Sequence, residues 1–224
     1  MINIKPAKRC IMKKLSLLLC FIMTAAVLVT GCNKNRNDES GAADEPETGY
    51  AIEDNVYEFI DSGIEENVRA TIGKPEGFIT EEEVSKIESL MIYNISYEVM
   101  ELSALSGFSS LTSLRIYSDT VSDITALKSL KLKTLAIESS TLEDVAALAE
   151  IDTLEELYIE RCAVTDISSL GKLKGLKVLS LAGCEIEDLT PLLELKGLVK
   201  LDLRGVKAPI PEELLERDLE IITD

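Results

Sequence analysis

Residues 154–195 spell one pattern twice, 22 residues apart. Leu154, Leu157, Ile159, Cys162, Val164, Asp166, Ile167, Leu170 and Leu173 return as Leu176, Leu179, Leu181, Cys184, Ile186, Asp188, Leu189, Leu192 and Leu195. Leu157-x-Ile159 and Leu179-x-Leu181 put two apolar side chains on one side of a short strand, because alternate strand residues face the same way. The Ile-x-x-Leu-x-x-Leu positions that follow carry the chain back past the same interior. One such unit cannot cover its own apolar face. Stacking neighbours merges the separate faces into one continuous core, so the period itself predicts a stacked array.

The first strand leucine recurs as Leu90, Leu114, Leu135, Leu157, Leu179 and Leu201, at spacings of 24, 21, 22, 22 and 22. An acid before an apolar residue recurs as Glu101, Asp123, Asp144, Asp166 and Asp188. Such a side chain can accept backbone N–H groups where the return turn begins. The pattern resembles the leucine-rich repeat. That resemblance implies an α/β solenoid, a horseshoe segment of about six repeats of 21–24 residues over 89–208. Where these repeats carry an inward Asn or Cys, this chain has Ile95, Asp119, Ser140, Cys162, Cys184 and Val206. Cys162 and Cys184 are expected as small buried thiols. Strands about 4.8 Å apart put a disulfide within Cα reach, but both parallel side chains would have to rotate to form it.

Ahead of the repeats, Val56, Phe59, Ile60, Ile64, Val68 and Ile72 fall on one helical face, in one helix or in two broken near Gly63. Thr80-x-x-Glu83 has capping-box form. Together, residues 50–88 resemble the helical cap of internalin-like bacterial proteins, which covers the first apolar edge of the solenoid. At the other end Pro209 and Pro211 stop a normal turn, Glu212–Arg217 suits a helical turn, and 218–222 suits a truncated last strand. Residues 209–224 are therefore read as a C-terminal cap.

Residues 1–31 are expected to lie outside the fold. Lys13 and Lys14 precede an uncharged run, Leu15–Val29, with the length of a signal-peptide core rather than a spanning helix; Met12 would also serve as a start. Val29-Thr30-Gly31-Cys32 resembles the lipobox of bacterial lipoproteins, which implies a diacylglycerol on Cys32 and a mature chain anchored to the outer face of a bacterial membrane. Residues 32–49 are polar and aperiodic, a flexible tether reaching roughly 20–25 Å. The formal charge of −17 argues against nucleic acid or an anionic bilayer surface as a direct partner. Cys10 and Cys20 leave with the signal.

Candidates for chemistry are few. The chain has no His, which excludes Ser-His and Cys-His nucleophilic sets. It has no Cys-x-x-Cys, no phosphate-binding glycine loop and no ligand set for a metal or cofactor. Lys128–Lys133 and Gly171–Lys177 alternate lysine with core leucine, the pattern of solvated stems. Binding is left, and in leucine-rich repeats it belongs to the concave sheet. The residues beside the strand leucines gather Tyr93, Arg115, Tyr117, Tyr158, Glu160 and Arg161, types that dominate interface energetics. Six such strands offer roughly 400 Å², less than the 800 Å² or so of a standard partner surface. The reading is a non-enzymatic, monomeric, membrane-anchored module for a protein or peptide, or else a self-associating envelope component.

Overall fold

The computed structural model describes residues 55–94 and 99–224. The signal-like segment, Cys32, the tether and Ile95 lie outside the described residues. The repeats form one parallel sheet of seven strands in chain order: β1 (Ser89–Asn94), β2 (Ser113–Ser118), β3 (Thr134–Glu138), β4 (Glu156–Glu160), β5 (Val178–Ser180), β6 (Lys200–Asp202) and β7 (Glu220–Ile222). The strand leucines pair across the whole array, Leu90 with Leu114, then Leu135, Leu157, Leu179 and Leu201. The unequal spacings are absorbed outside the strands, so the register never slips.

Each return passes through a short 3₁₀ turn: Leu102–Leu105, Thr125–Ser129, Ala146–Glu150, Ser168–Lys172 and Thr190–Glu194. Four aspartates start these turns as expected. Asp123, Asp144, Asp166 and Asp188 accept the backbone N–H two residues on, at 2.7–2.8 Å. Those N–H bonds hold Asp123, Asp166 and Asp188 below the usual carboxylate range. Glu101 departs from the column. Its side chain caps nothing; its own N–H donates to Asp61 Oδ2 at 3.0 Å. Strand and turn leucines are all but excluded from water, each burial worth roughly 1.5–3 kcal/mol.

The cap is one helix and one short turn. α1 (Ser62–Ile72) begins at Asp61, whose Oδ1 accepts the Gly63 and Ile64 N–H groups, and ends at Gly73 with φ 68°. The expected helical face therefore fails before residue 62. Residues 55–60 are not helical, Val56 pairs with Thr80, and Ile60 is 70% exposed. The Asp61 cap outranks apolar spacing there, because it satisfies helix donors that a longer helix would leave elsewhere. α2 (Glu81–Ser85) carries the expected reciprocal capping box between Thr80 and Glu83. Tyr57 clamps cap to repeats: its hydroxyl donates to Ala104 O at 2.5 Å and accepts the Gly107 N–H at 3.2 Å. A Cβ at Gly107 would sit 2.3 Å from that ring.

At the far end α3 (Glu212–Leu215) and β7 form where the prolines and the charged strand predicted them. Arg217 donates to the Leu193 and Leu195 carbonyls, and Lys200 pairs with Glu220. The strands shorten along the array, from six residues in β1 and β2 to three in β5 to β7, so they do not share one length.

The corner after each strand is turned in two ways. Strand alternation carries Leu114 and Ile116 inward and then Ser118, and Leu135 and Ile137 inward and then Ser139; both serines are buried. Asp119 and Ser140, expected inward, are exposed instead. After β4 the alternation would drive Arg161 into the core. A left-handed backbone at Arg161 (φ 52°) swings it out and turns Cys162 in. Gly183 (φ 72°) and Gly205 (φ 79°) do the same, burying Cys184 and half-burying Val206. Glycine takes this conformation freely, whereas a side chain costs about 1–2 kcal/mol.

Candidate functional site

The outward positions of the strands form three columns whose register is read directly from the pairing. Ser89, Ser113, Thr134, Glu156, Val178 and Lys200 make one. Met91, Arg115, Ala136, Tyr158, Ser180 and Asp202 make the second. Tyr93, Tyr117, Glu138 and Glu160 make the third. Ala182 and Arg204, which continue the spacing of the third column, lie beyond the shortened β5 and β6.

The six residues singled out on this face do not form one cluster; they separate into two. In the first, Tyr93 and Tyr117 stack, ring centroids 4.9 Å apart and planes 11° from parallel. The gap matches the strand spacing, so each ring covers one face of the other. Tyr93 is 59% exposed and Met91 41%. Arg115 stands in register between Met91 and Ala136, exposed, and among the described residues it makes no hydrogen bond or ion pair.

The second group is satisfied internally. The Tyr158 hydroxyl donates to Glu156 Oε2 at 3.2 Å; burial first, then the Glu156 charge, push its pKa up. Glu160 Oε1 accepts the Ser180 hydroxyl at 2.7 Å, and Arg161 pairs with Glu138 at 2.6 Å. Farther along, Arg204 forks onto both oxygens of Asp202, which depresses that carboxylate. The first group keeps the Arg115 guanidinium without a hydrogen-bonded or ion-paired partner among the described residues.

Two participants escaped sequence reasoning. Asn67 on α1 reaches the outer edge of β1, donating to Tyr93 O at 3.2 Å and accepting the Tyr93 N–H at 3.1 Å. Its amide stands where a neighbouring strand's peptide would. Nothing local signals this, since the partners lie 26 residues apart. Glu138, a plain column member, becomes the counter-ion of the strained Arg161.

The thiols at Cys162 and Cys184 are free and buried. Cys184 donates to Ile159 O at 3.3 Å, and Cys162 lies 3.4 Å from Glu160 O and 3.6 Å from Ile137 O. They occupy the inward corner as expected, with the neighbouring Cys184 sulfur and then burial pushing the Cys162 thiol up. Two of the six lysines of the ridge are paired among the described residues: Lys174 with Glu194 at 2.9 Å, and Lys177 with Glu155.

Two open clefts lie off the sheet face. One of about 550 Å³ is lined by Tyr57, Glu81, Glu82 and Gly107 among others; one of about 350 Å³ lies beside Glu143, Asp144 and Asp166. A general acid needs a raised carboxyl pKa. Wherever the fold displaces a described carboxylate it moves it down, through N–H groups, lysines or Arg204. Among the described residues no group of three His, Cys, Asp or Glu could hold a metal, and no helix is long and apolar enough to cross a membrane.

A profile for leucine-rich repeats (two copies) matches residues 152–194, the pair of units with which the sequence pattern is clearest. No curated protein matches the chain in sequence. Among solved structures, the internalin InlF of Listeria monocytogenes is similar over 73% of this chain at 22% identity and a TM-score of 0.56. The chain spans 56% of that protein's length. Internalin C2 of the same organism is similar over 74% of this chain and 94% of its own, at 21% identity and a TM-score of 0.57. The chain is thus an internalin-like leucine-rich repeat solenoid in fold.

Proposed function

We propose that the chain is an exported lipoprotein, anchored through Cys32 to the outer face of a bacterial membrane, that presents its sheet face to another protein and catalyses nothing. The observation that carries the binding role is the strip of exposed Met91, Tyr93 and Arg115 with the half-buried Tyr117. Apolar and aromatic groups and a guanidinium gather there, on a face where Glu138 is paired with Arg161, and Glu156 and Glu160 each accept a hydroxyl. Aromatic and arginine side chains supply most of the energy at protein interfaces. The anchoring role rests on the basic start, the uncharged run and Val29-Thr30-Gly31-Cys32. Two acyl chains hold a protein stably on a bilayer, where one is marginal. Repeated copies on a membrane compensate for a small face by raising effective concentration.

The test has two arms. Bacteria expressing the chain are fed labelled fatty acid; the label is expected in the wild type and absent from Cys32→Ala, and equal labelling removes the anchor. The full chain and a Tyr93→Ala/Tyr117→Ala variant are then used to capture proteins from envelope and host-surface extracts. A protein held by the wild type and lost by the variant supports the sheet face. Equal retention moves binding elsewhere, and concentration-dependent self-association with no capture favours an envelope scaffold.

A further inference from the structure

We infer that Arg115 and the stacked Tyr93 and Tyr117 form an anchoring subsite for an extended peptide that presents one carboxylate beside an apolar or aromatic side chain, with Asn67 as its positioning residue. The inference rests on the sheet face being the binding surface and adds the chemistry of what it takes.

Charge selects the carboxylate. Glu138, Glu160 and Asp202 are each engaged by Arg161, Ser180 and Arg204, and Lys200 by Glu220. Arg115 alone among these charged groups has no hydrogen-bonded partner within the described residues. Its register neighbours, Met91 and Ala136, cannot supply one. A guanidinium with a free fork of donors fits a carboxylate in bidentate fashion, the strongest pairing open to it.

The tyrosines select in the same direction. Because each ring covers one face of the other, the pair offers its edges as well as its outer faces to a ligand. Ring edges carry the positive part of the aromatic quadrupole and meet carboxylate or carbonyl oxygens, or the face of another ring. A cationic ligand would be repelled by Arg115. A polyacidic one would meet the net charge of −17, so a single carboxylate is the fit. Arg115 and Tyr117 are two residues apart, about 7 Å along the strand, the span of two residues of an extended peptide.

Asn67 fixes the geometry. Among the described residues β1 has no strand on its outer side, so the backbone beneath Tyr93 would otherwise be free to fray. The two Asn67 bonds hold that peptide, and a third, to Gly63 O at 2.7 Å, holds the amide itself. The Tyr93 ring is thereby kept parallel to Tyr117.

The experiment selects a displayed random heptapeptide library on the immobilised full chain, then measures the best synthetic peptide against variants whose folding is checked by circular dichroism. Selected peptides are expected to share one Asp or Glu beside an apolar or aromatic residue. Replacing that acid by its amide is expected to weaken binding about tenfold on the wild type and to change nothing on Arg115→Met. Arg115→Lys should recover part of the affinity. Asn67→Ala should weaken binding severalfold, and this loss should vanish in a Tyr93→Ala background, which a general loss of stability would not do. Peptides without an acid, or equal affinity for Arg115→Met while Tyr117→Ala abolishes binding, overturn the carboxylate subsite and leave the sheet face standing. No enriched peptide, or none sensitive to Tyr117, overturns both. A wild-type dimer that dissociates in Tyr117→Ala makes the occupant a second copy and overturns the peptide.

Discussion

The repeats around β2 and β3 and those around β4 to β6 turn the same corner differently. The first pair keeps strand alternation and buries a hydroxyl, with Ser139 Oγ donating to Val121 O at 2.9 Å. The later set breaks alternation with a left-handed residue and buries a thiol at Cys162 and Cys184, or Val206 in part. The difference reaches the outer face. Where the strand runs on, Tyr117 stands in an intact column beside Tyr93. Where it bends, Arg161 is thrown outward onto Glu138 and neutralises it. How a repeat closes its core thus decides what it offers to solvent.

The sharpest way to break this comparison is Gly183→Val. The new side chain would sit at φ 72° with its Cβ 3.2 Å from Arg161 Cγ, and the expected loss is about 3 kcal/mol from backbone strain plus crowding. The denaturant midpoint should fall with its slope unchanged. Ser139→Val, at the matching position without a left-handed backbone, should cost distinctly less; equal losses would mean that the bend is not the difference. Next in size, Ser139→Ala takes the serine donor from Val121 O, which keeps the Thr141 hydroxyl at 3.1 Å, so about 1 kcal/mol is expected from the same titration.

Arg161 sharpens the comparison from the other side. Arg161→Gly brings its repeat into line with the two that follow, and Arg161→Ala keeps the strain. Glycine should be the more stable by about 1 kcal/mol, the reverse of the usual order, as read by thermal unfolding. The smallest effect is common to both regions. Asp123, Asp166 and Asp188 have folded pKa values below their unfolded ones, so the fold favours the charged form. Their stabilisation is present above the unfolded value of about 3.9 and is lost as pH falls through the depressed folded values. Hydrogen exchange below about pH 3.9 should loosen the turns of both regions alike, relative to about pH 5 where nothing is yet lost. Asp166→Asn should flatten the response in its own turn, and a one-sided response would tie the turn acids to the corner type.

The register was legible because a strict apolar period admits one stacking: Leu90 through Leu201 pair as the spacing demands. The Thr80–Glu83 box and the last strand were legible for the same local reason. Asp119 and Ser140 were misplaced because counting a fixed number of residues past each leucine assumes one corner geometry. Gly183 and Gly205 carried the sign of the second geometry, but Arg161 hid it, since a left-handed arginine leaves no mark in composition. The outward columns of the candidate site followed from the period. That only Tyr93, Arg115 and Tyr117 remain available did not, because pairings such as Arg161 with Glu138 span 23 residues and depend on the bend.

The amide of Asn67 has a consequence for how such a molecule can lengthen. By occupying the N–H and carbonyl of Tyr93, it makes the first strand a closed terminus, with nothing at that position for an incoming chain to copy. β7 is the last strand of the sheet and carries no such plug among the described residues. The two ends of the described sheet are therefore finished differently, one by a side-chain amide and the other by the short, charged β7. Duplication in whole 22-residue steps between β4 and β6 would move β7 outward and leave the platform beside the cap unchanged.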